Sequence, residues 1–267
     1  MEELKSKIYE NNIQLKKWID EILDDLDNNL KAFYSTIKQE KRIAINLNLE
    51  SLNLVLIDRE YKNIFQLGYD QKSTEARYNS NVNTLYYEKL KSFMKILDQR
   101  KQLKYGSLNI GGLGSNFPGF GSGQLAIILS KDFSIRLQEE IICLKKFSLN
   151  YFKSNLSFKE ELLINESSTW KFVEILALQK HFSDIEVSSL EEWQEIISNK
   201  RGWLEILIYN RIYISDIQEI RINEELFLYF ERLNDKVDLS NYETAINLTF
   251  QAILRNLKKN KIPIQPI

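Results

Sequence analysis

The period of the apolar pattern changes near residue 41, and this change limits the fold to a mixture of helices and strands. Apolar side chains recur from Ile19 to Ile37 in five steps that cover 18 residues, or 3.6 residues per step. This period predicts an amphipathic helix over the first forty residues, with or without a break. We expect the helix to pack on its own domain, because the apolar side chains of a coiled coil recur closer to every 3.5 residues. Residues 42–49 then alternate apolar and polar side chains, which predicts a strand.

Helices dominate the secondary structure predicted for the rest of the chain. Amphipathic, buried or capped segments predict helices at 85–103, 133–152, 170–182, 189–202, 216–220 and 240–259. Apolar runs predict strands at 124–129 and 203–209, and the run 52–57 fits either a strand or a helical turn. We predict an α+β fold with a small mixed β core at 41–225, a long N-terminal helical arm at 1–40 and a helical C-terminal cap at 226–267. We expect these three segments to fold as one cooperative unit, because no Pro/Gly/Ser linker separates them.

Histidine and cysteine are scarce, which excludes several kinds of site. The chain has one histidine, His181, and one cysteine, Cys143, so most zinc sites and most Cys–His or Ser–His nucleophile pairs are excluded. We predict no metal ligands. His181 is interpreted as a buried or terminal residue of a helix, with a catalytic role as the less favoured alternative, and Cys143 as a small core residue. A lone cysteine cannot form an internal disulfide, which fits a reducing compartment.

Charge and hydropathy disfavour nucleic acid and membranes as partners. The formal net charge is −1, so no global basic field attracts nucleic acid or an anionic membrane. Four basic residues near the C-terminus are explained more simply as charges that complement a helix dipole. They are Arg255, Lys258, Lys259 and Lys261. No apolar run reaches the roughly 18 residues of a membrane span, and the acidic start is unlike a signal peptide. We therefore expect a cytoplasmic protein, with signal-independent secretion as an alternative.

The glycines are concentrated in one segment. Seven of the nine lie between Gly106 and Gly123. Glycine lets the backbone approach a ligand or another strand closely. The segment lacks G-x-x-x-x-G-K-[ST] and the strand–glycine–helix order of a dinucleotide fingerprint, so a phosphate loop of either kind is disfavoured.

Glu205 is the strongest local candidate for chemistry. It lies in Trp-Leu-Glu-Ile-Leu-Ile-Tyr at 203–209, a segment without any other charge. A carboxylate in such a strand is costly to bury unless it has a partner. The alternative is that strand alternation points Glu205 to solvent while Leu204 and Ile206 point inward.

Several motifs resemble a little-characterised bacterial protein family. Residues 104–110, Lys-Tyr-Gly-Ser-Leu-Asn-Ile, and the later Phe-Gly-Ser at 120–122 resemble its K-Y-G-A-L-N-L motif, its loop and its F-G-S before a strand. Three other segments appear in matching order: 42–47 resembles R-I-T-L-N-F, 61–68 resembles Y-R-S-Q-F-E-T-G, and 203–209 resembles Y-I-E-A-Q-V-H-G. The resemblance covers 42–225 in patches and is closest at 104–110.

The strand around Glu205 is also similar to the glutamate motif of ADP-ribosyltransferases. This resemblance implies a transferase that uses NAD to modify a macromolecule, with a protein as target, as bacterial toxins and effectors do. It implies Glu205 as the catalytic carboxylate, which stabilises positive charge on the ribose as nicotinamide leaves. It further implies NAD-binding roles for residues in or beside the strands, namely Arg42 at the pyrophosphate, Tyr105 stacked on the ring with Gly106 next to it, and Ser107 or Ser122 on the nicotinamide side.

Purely structural roles for these residues remain as alternatives, and the sequence also departs from the family pattern. Tyr105 and Gly106 could form a turn before a strand, Ser122 could be a loop hydroxyl, and Arg42 could be an exposed cation. Asn48 stands where the family has histidine, Lys62 where it has arginine, and Gln66 where it has glutamate. Trp203 stands where many protein-directed transferases have an acceptor-orienting Glu or Gln. These departures favour the alternative of a catalytically degenerate member of the same fold that acts as a protein-binding module.

Overall fold

The computed structural model describes residues 2–63, 66–67, 88–89, 91–93, 95–96, 103–112, 124–146, 151–152, 157–181 and 204–267. The N-terminal segment forms two helices, α1 (Glu2–Ile22) and α2 (Asn28–Glu40). Asp27 is the N-cap of α2, because its side chain accepts a hydrogen bond from the Leu30 N–H at 2.8 Å.

Strands and further helices alternate along the rest of the chain. The strands are β1 (Arg42–Asn46), β2 (Glu60–Tyr61), β3 (Lys104–Asn109), β4 (Leu125–Leu129), β5 (Ile142–Leu144), β6 (Ser167–Thr169), β7 (Glu205–Ile208), β8 (Ile212–Tyr213), β9 (Ile217–Ile222) and β10 (Ile264–Pro266). The helices are α3 (Leu49–Asp58), α4 (Lys131–Arg136), α5 (Glu160–Asn165), α6 (Val173–His181), α7 (Glu224–Asp235) and α8 (Asn241–Asn260).

Within the described residues, eight strands form one mixed sheet, and the fold is α+β as predicted. The order is β10-β9-β4-β1-β3-β7-β5-β6, and every pairing is antiparallel except the parallel β9–β10 pair. Strands β2 and β8 form a separate antiparallel pair. The last strand adds an edge to the sheet, so the C-terminal segment is not helical alone.

The two faces of this sheet differ in chemistry. On one face the main hydrophobic core joins strand residues such as Ile43, Leu108 and Ile206 to helix residues such as Phe33 and Ile253. Direct partners in a ladder project to the same side of the sheet. The opposite face therefore carries a row of polar side chains over its central strands, which we call the polar face. Its members are Arg42, Asn46, Ser107, Asn109, Glu205, Glu219 and Arg221.

Several sequence predictions are confirmed. Strands occur at Arg42–Asn46, Leu125–Leu129 and Glu205–Ile208, and the last helix begins at a capping box on Ser240. His181 is buried at the end of α6, where its ring lies edge-on to Phe33 at 5.9 Å. Cys143 is fully buried in the main core.

Two helix predictions are wrong. The predicted helix at 133–152 is a short helix, α4, followed by strand β5, which is buried between β6 and β7. The predicted helix at 216–220 is strand β9, which pairs with β4. In both places a short apolar run fits either state, and long-range strand pairing decides. The open run 52–57 is helical in α3, which Asn48 caps by accepting from the Ser51 N–H at 2.8 Å.

The helix predicted at 189–202 lies outside the described residues, as does much of the helix predicted at 85–103. Where the structure describes the second segment, residues 88–89, 91–93 and 95–96 are helical. The boundaries of arm, core and cap stay a prediction. Among the residues described, no helix is both long and apolar enough to cross a bilayer.

Candidate functional site

Glu205 and Ser107 lie opposite each other in the middle of the sheet. They are direct partners in the antiparallel β3–β7 ladder, so their side chains share the polar face. Glu205 is 0% exposed and Ser107 is 2% exposed. On its other side Glu205 is the partner of Leu144 in β5. The alternative in which Glu205 points to solvent is therefore wrong, because both faces of β7 are covered.

Tyr105 lies two residues before Ser107 on the same strand and therefore on the same face. Its ladder partner is Leu207, and the ring is partly buried against the small apolar cluster that contains Leu207. Because Tyr105 and Gly106 are both inside β3, the alternative of a turn at this position is wrong. A stacking role for Tyr105 stays a prediction.

Gly106 faces the opposite side of the sheet from Glu205. A Cβ atom here would lie 2.9 Å from Ile43 Cγ2 and 3.0 Å from the carbonyl oxygen of Ala44. The missing side chain therefore lets β3 lie close to β1. Gly106 contacts a neighbouring strand, and direct contact of Gly106 with a cofactor stays a prediction.

Arg42 begins β1 and lies on the polar face. It is partly exposed, and its Nη1 donates to the carbonyl oxygens of Glu40 at 2.9 Å and Lys41 at 3.0 Å. Within the residues that the structure describes, its Nε and Nη2 groups donate to no protein atom. Burial lowers the pKa of Arg42, and the neighbouring Arg221 lowers it further. This guanidinium is therefore fixed at one nitrogen and open along the edge that binds oxyanions side-on.

Sequence analysis missed a polar group that extends across the same face. Arg221 on β9 donates from Nε to Glu219 Oε1 at 2.7 Å and from Nη1 to Asn109 Oδ1 at 3.0 Å. Arg221 Nη1 also contacts the Gly112 carbonyl oxygen. The alternation of Glu219 and Arg221 within an apolar strand is the signal that could have found them, and the helix predicted at 216–220 concealed it.

A buried tyrosine, Tyr151, lies within electrostatic range of Glu205. Tyr151 is fully buried, and burial is the main cause that raises the pKa of its phenol, followed by the negative charge of Glu166. Glu205 raises this pKa as well. Tyr151 is therefore a neutral hydroxyl within electrostatic range of two carboxylates, and Glu166 itself pairs with Lys146 at 2.6 Å.

The polar face combines two chemical capacities. A buried carboxylate beside a hydroxyl can stabilise positive charge on a bound molecule, and an arginine with open donors can hold an anion. Ser122 lies outside the described residues. In the part of the chain that the structure covers, no three His, Cys, Asp or Glu side chains are arranged to hold a metal ion.

Comparisons with protein-family models, with curated proteins and with solved structures find no match to this chain.

Proposed function

We propose that this protein is an ADP-ribosyltransferase-like enzyme that uses NAD to modify a macromolecular target, with a protein as acceptor, in the manner of a toxin or effector. The observation that supports this most is the position of Glu205, fully buried opposite Ser107 and on the same sheet face as Arg42. These are the residues to which the resemblance assigns catalysis, support of the nicotinamide side and anchoring of the pyrophosphate.

The proposed reaction breaks the bond between C1′ of the ribose and the nicotinamide nitrogen. The bonding electron pair leaves with nicotinamide, which becomes neutral, and positive charge develops on the ribose. A fixed carboxylate shielded from water stabilises this charge better than one exposed to solvent. Glu205 supplies that carboxylate. A nucleophile of the target then bonds to C1′ and releases its proton to solvent.

The neighbouring residues position the dinucleotide. Ser107 supports the nicotinamide side from the adjacent strand, and Tyr105 stacks on the ring from the same strand. Arg42 offers its open Nε–Nη2 edge to the diphosphate, a geometry that suits two phosphate oxygens. All three lie on regular strands, which hold side chains more rigidly than loops do.

Release of nicotinamide from NAD tests this proposal. The wild-type protein is expected to release nicotinamide, and Glu205→Gln is expected to reduce the rate by at least about 100-fold, the usual scale for removing one electrostatic stabiliser. Glu139→Gln is the matched control, because Glu139 is exposed and pairs only with Lys171 in the described structure. A wild-type protein that neither binds nor cleaves NAD at millimolar concentration would favour the protein-binding module instead.

A further inference from the structure

Asn109 is a fully buried side chain with one half of its amide unused. Its Oδ1 accepts hydrogen bonds from the Gly111 N–H at 3.0 Å and from Arg221 Nη1 at 3.0 Å. Two donors on one atom identify that atom as the oxygen, so the other atom is the amide nitrogen. Asn109 is 0% exposed, and its Nδ2 has no acceptor among the residues that the structure describes. A buried donor without an acceptor is costly and rare in a folded protein.

Arg42 is the residue directly opposite Asn109 on the neighbouring strand. Arg42 and Asn109 are direct partners in the β1–β3 ladder, so their side chains project from the same face with Cβ atoms about 5 Å apart. The open Nε and Nη2 groups of Arg42 and the Nδ2 group of Asn109 are all donors. Such a set matches a ligand that only accepts hydrogen bonds.

The charged groups around this pair are of both signs. Arg221 lies close enough to lower the pKa of Arg42, and Glu219 is the carboxylate that pairs with Arg221 at 2.6 Å. Glu40 is a second carboxylate within electrostatic range of Arg42, so two guanidinium groups face two carboxylates and the local charge is balanced. The unpaired hydrogen-bond donors, rather than a net positive charge, are therefore what favours an anion here. The side chain of Arg221 is mostly buried, whereas Arg42 is partly exposed, so a ligand would enter from the Arg42 side.

We propose that Asn109 and Arg42 form a subsite for a phosphate group, in which Arg221 is the positioning residue that holds the Asn109 amide with Nδ2 toward the ligand. Under the proposed function, on which this identification rests, the phosphate group is the diphosphate of NAD. The binding chemistry of the subsite is independent of whether the bound dinucleotide is cleaved.

Asn109→Asp tests the subsite without removing its packing. The substitution keeps an acceptor for Arg221 and Gly111 but replaces the Nδ2 donor by a carboxylate oxygen, which would pair with Arg42 and repel phosphate. Titration calorimetry with inorganic pyrophosphate and with ADP-ribose measures the effect, and inorganic phosphate serves as the single-phosphate probe. We expect affinity for pyrophosphate and ADP-ribose to fall at least about tenfold. Asn241→Asp is the control, since Asn241 is exposed on α8, which packs on the opposite face of the sheet.

Three further variants, at two residues, keep the proposal testable if Asn109→Asp fails to fold. Arg42→Gln changes a partly exposed residue and should weaken pyrophosphate binding and reduce its dependence on salt. Arg221→Met should weaken binding, and Arg221→Lys, which keeps a cationic donor for Asn109 Oδ1, should restore part of the lost affinity. Loss through misfolding alone would show no such rescue.

The outcomes separate this proposal from the transferase proposal. If the wild type binds ADP-ribose through Asn109 but releases no nicotinamide from NAD, the phosphate subsite stands and the transferase fails. If nicotinamide is released but folded Asn109→Asp has wild-type affinity for pyrophosphate and ADP-ribose, the subsite is wrong. A wild type that binds none of the three probes at millimolar concentration also overturns it.

Discussion

Ser107 and Glu205 are cross-strand partners in the antiparallel β3–β7 ladder, and both side chains are buried on the polar face. Their proximity is set by main-chain register, because a slip of one residue would move either side chain to the other face. The arrangement therefore depends on the packing of β3 between β1 and β7. It can be tested by the stability of variants within β3, independently of any activity.

Gly106→Ala should destabilise the sheet next to the proposed site. The new methyl group would lie 2.9 Å from Ile43 Cγ2 and 3.0 Å from the Ala44 carbonyl oxygen, so β3 or β1 must shift. Overpacking of this kind lowers the free energy of unfolding by about 1 to 3 kcal/mol. Urea denaturation at neutral pH measures the loss.

Ser107→Ala is the control for Gly106→Ala. It changes the next residue of the same strand but adds no atoms to the interface with β1. A smaller loss for Ser107→Ala than for Gly106→Ala is expected. Equal stability of Gly106→Ala and wild type would show that the two strands are not packed as closely as described.

Glu174→Gln should lower the free energy of unfolding by about 2 to 3 kcal/mol. Lys41 Nζ lies 2.5 Å from Glu174 Oε2, and the side chains are only 17% and 8% exposed. The substitution leaves a mostly buried ammonium without its compensating negative charge, and this ammonium then has only neutral acceptors, the Trp170 carbonyl at 3.1 Å and the oxygen of the new amide. Chemical denaturation measures the change.

An exposed ion pair provides the comparison for Glu174→Gln. Lys171 and Glu139 are 3.0 Å apart, but both are close to half exposed. Glu139→Gln is therefore expected to change stability by no more than about 0.5 kcal/mol. Equal effects of the two substitutions would show that burial of the Lys41–Glu174 pair has no energetic consequence.

Cys143 should resist alkylation in the native protein. It is fully buried in β5, and burial raises the pKa of its thiol above the ordinary value, so the reactive thiolate is scarce. With iodoacetamide at pH 8, modification should be slow without denaturant and rapid in concentrated urea. Mass spectrometry measures the extent of modification. Fast modification under native conditions would contradict the burial of β5.

Glu243 should make stability depend on pH in acid. Its pKa is lowered to about 2, first by its hydrogen bond with Lys236 and then by the hydrogen bonds from Ser240 that complete the capping box of α8. Because this pKa is lower in the folded state than the usual 4.5, the stabilisation is present above about pH 4.5 and is lost as the pH falls toward 2. The stability difference between wild type and Glu243→Gln should shrink over that range, and a difference independent of pH would contradict the cap.

Local patterns in the sequence were sufficient for elements with strong periodicity or explicit caps. The alternation at Arg42–Asn46 and the Ser240 capping box are examples, and both are confirmed. Ile142–Leu144 lies inside the helix predicted at 133–152, and Ile217–Ile222 overlaps the helix predicted at 216–220. A short apolar run has no period of its own and fits either state. The state of these two segments depends on partners that are distant in sequence, namely β7 for the first and β4 for the second.

The candidate site shows the same limit. Burial of Glu205 was one of two alternatives that the sequence allowed, and coverage of both faces of β7 decides between them. Asn109 and Arg221 could not be connected from the sequence, because their hydrogen bond joins residues 112 positions apart. Once β9 is known to be a strand, its alternation places Glu219 and Arg221 on one face.

Comparison of NAD binding with NAD cleavage in Glu205→Gln tests the central claim most directly. Glu205 is proposed to stabilise charge that appears only as the bond to nicotinamide breaks, so the variant should bind NAD within about threefold of wild type while kcat falls at least about 100-fold. Calorimetry gives the affinity, nicotinamide release gives kcat, and circular dichroism verifies the fold. A folded Glu205→Gln protein that cleaves NAD at the wild-type rate would contradict the assignment of Glu205 as the catalytic carboxylate.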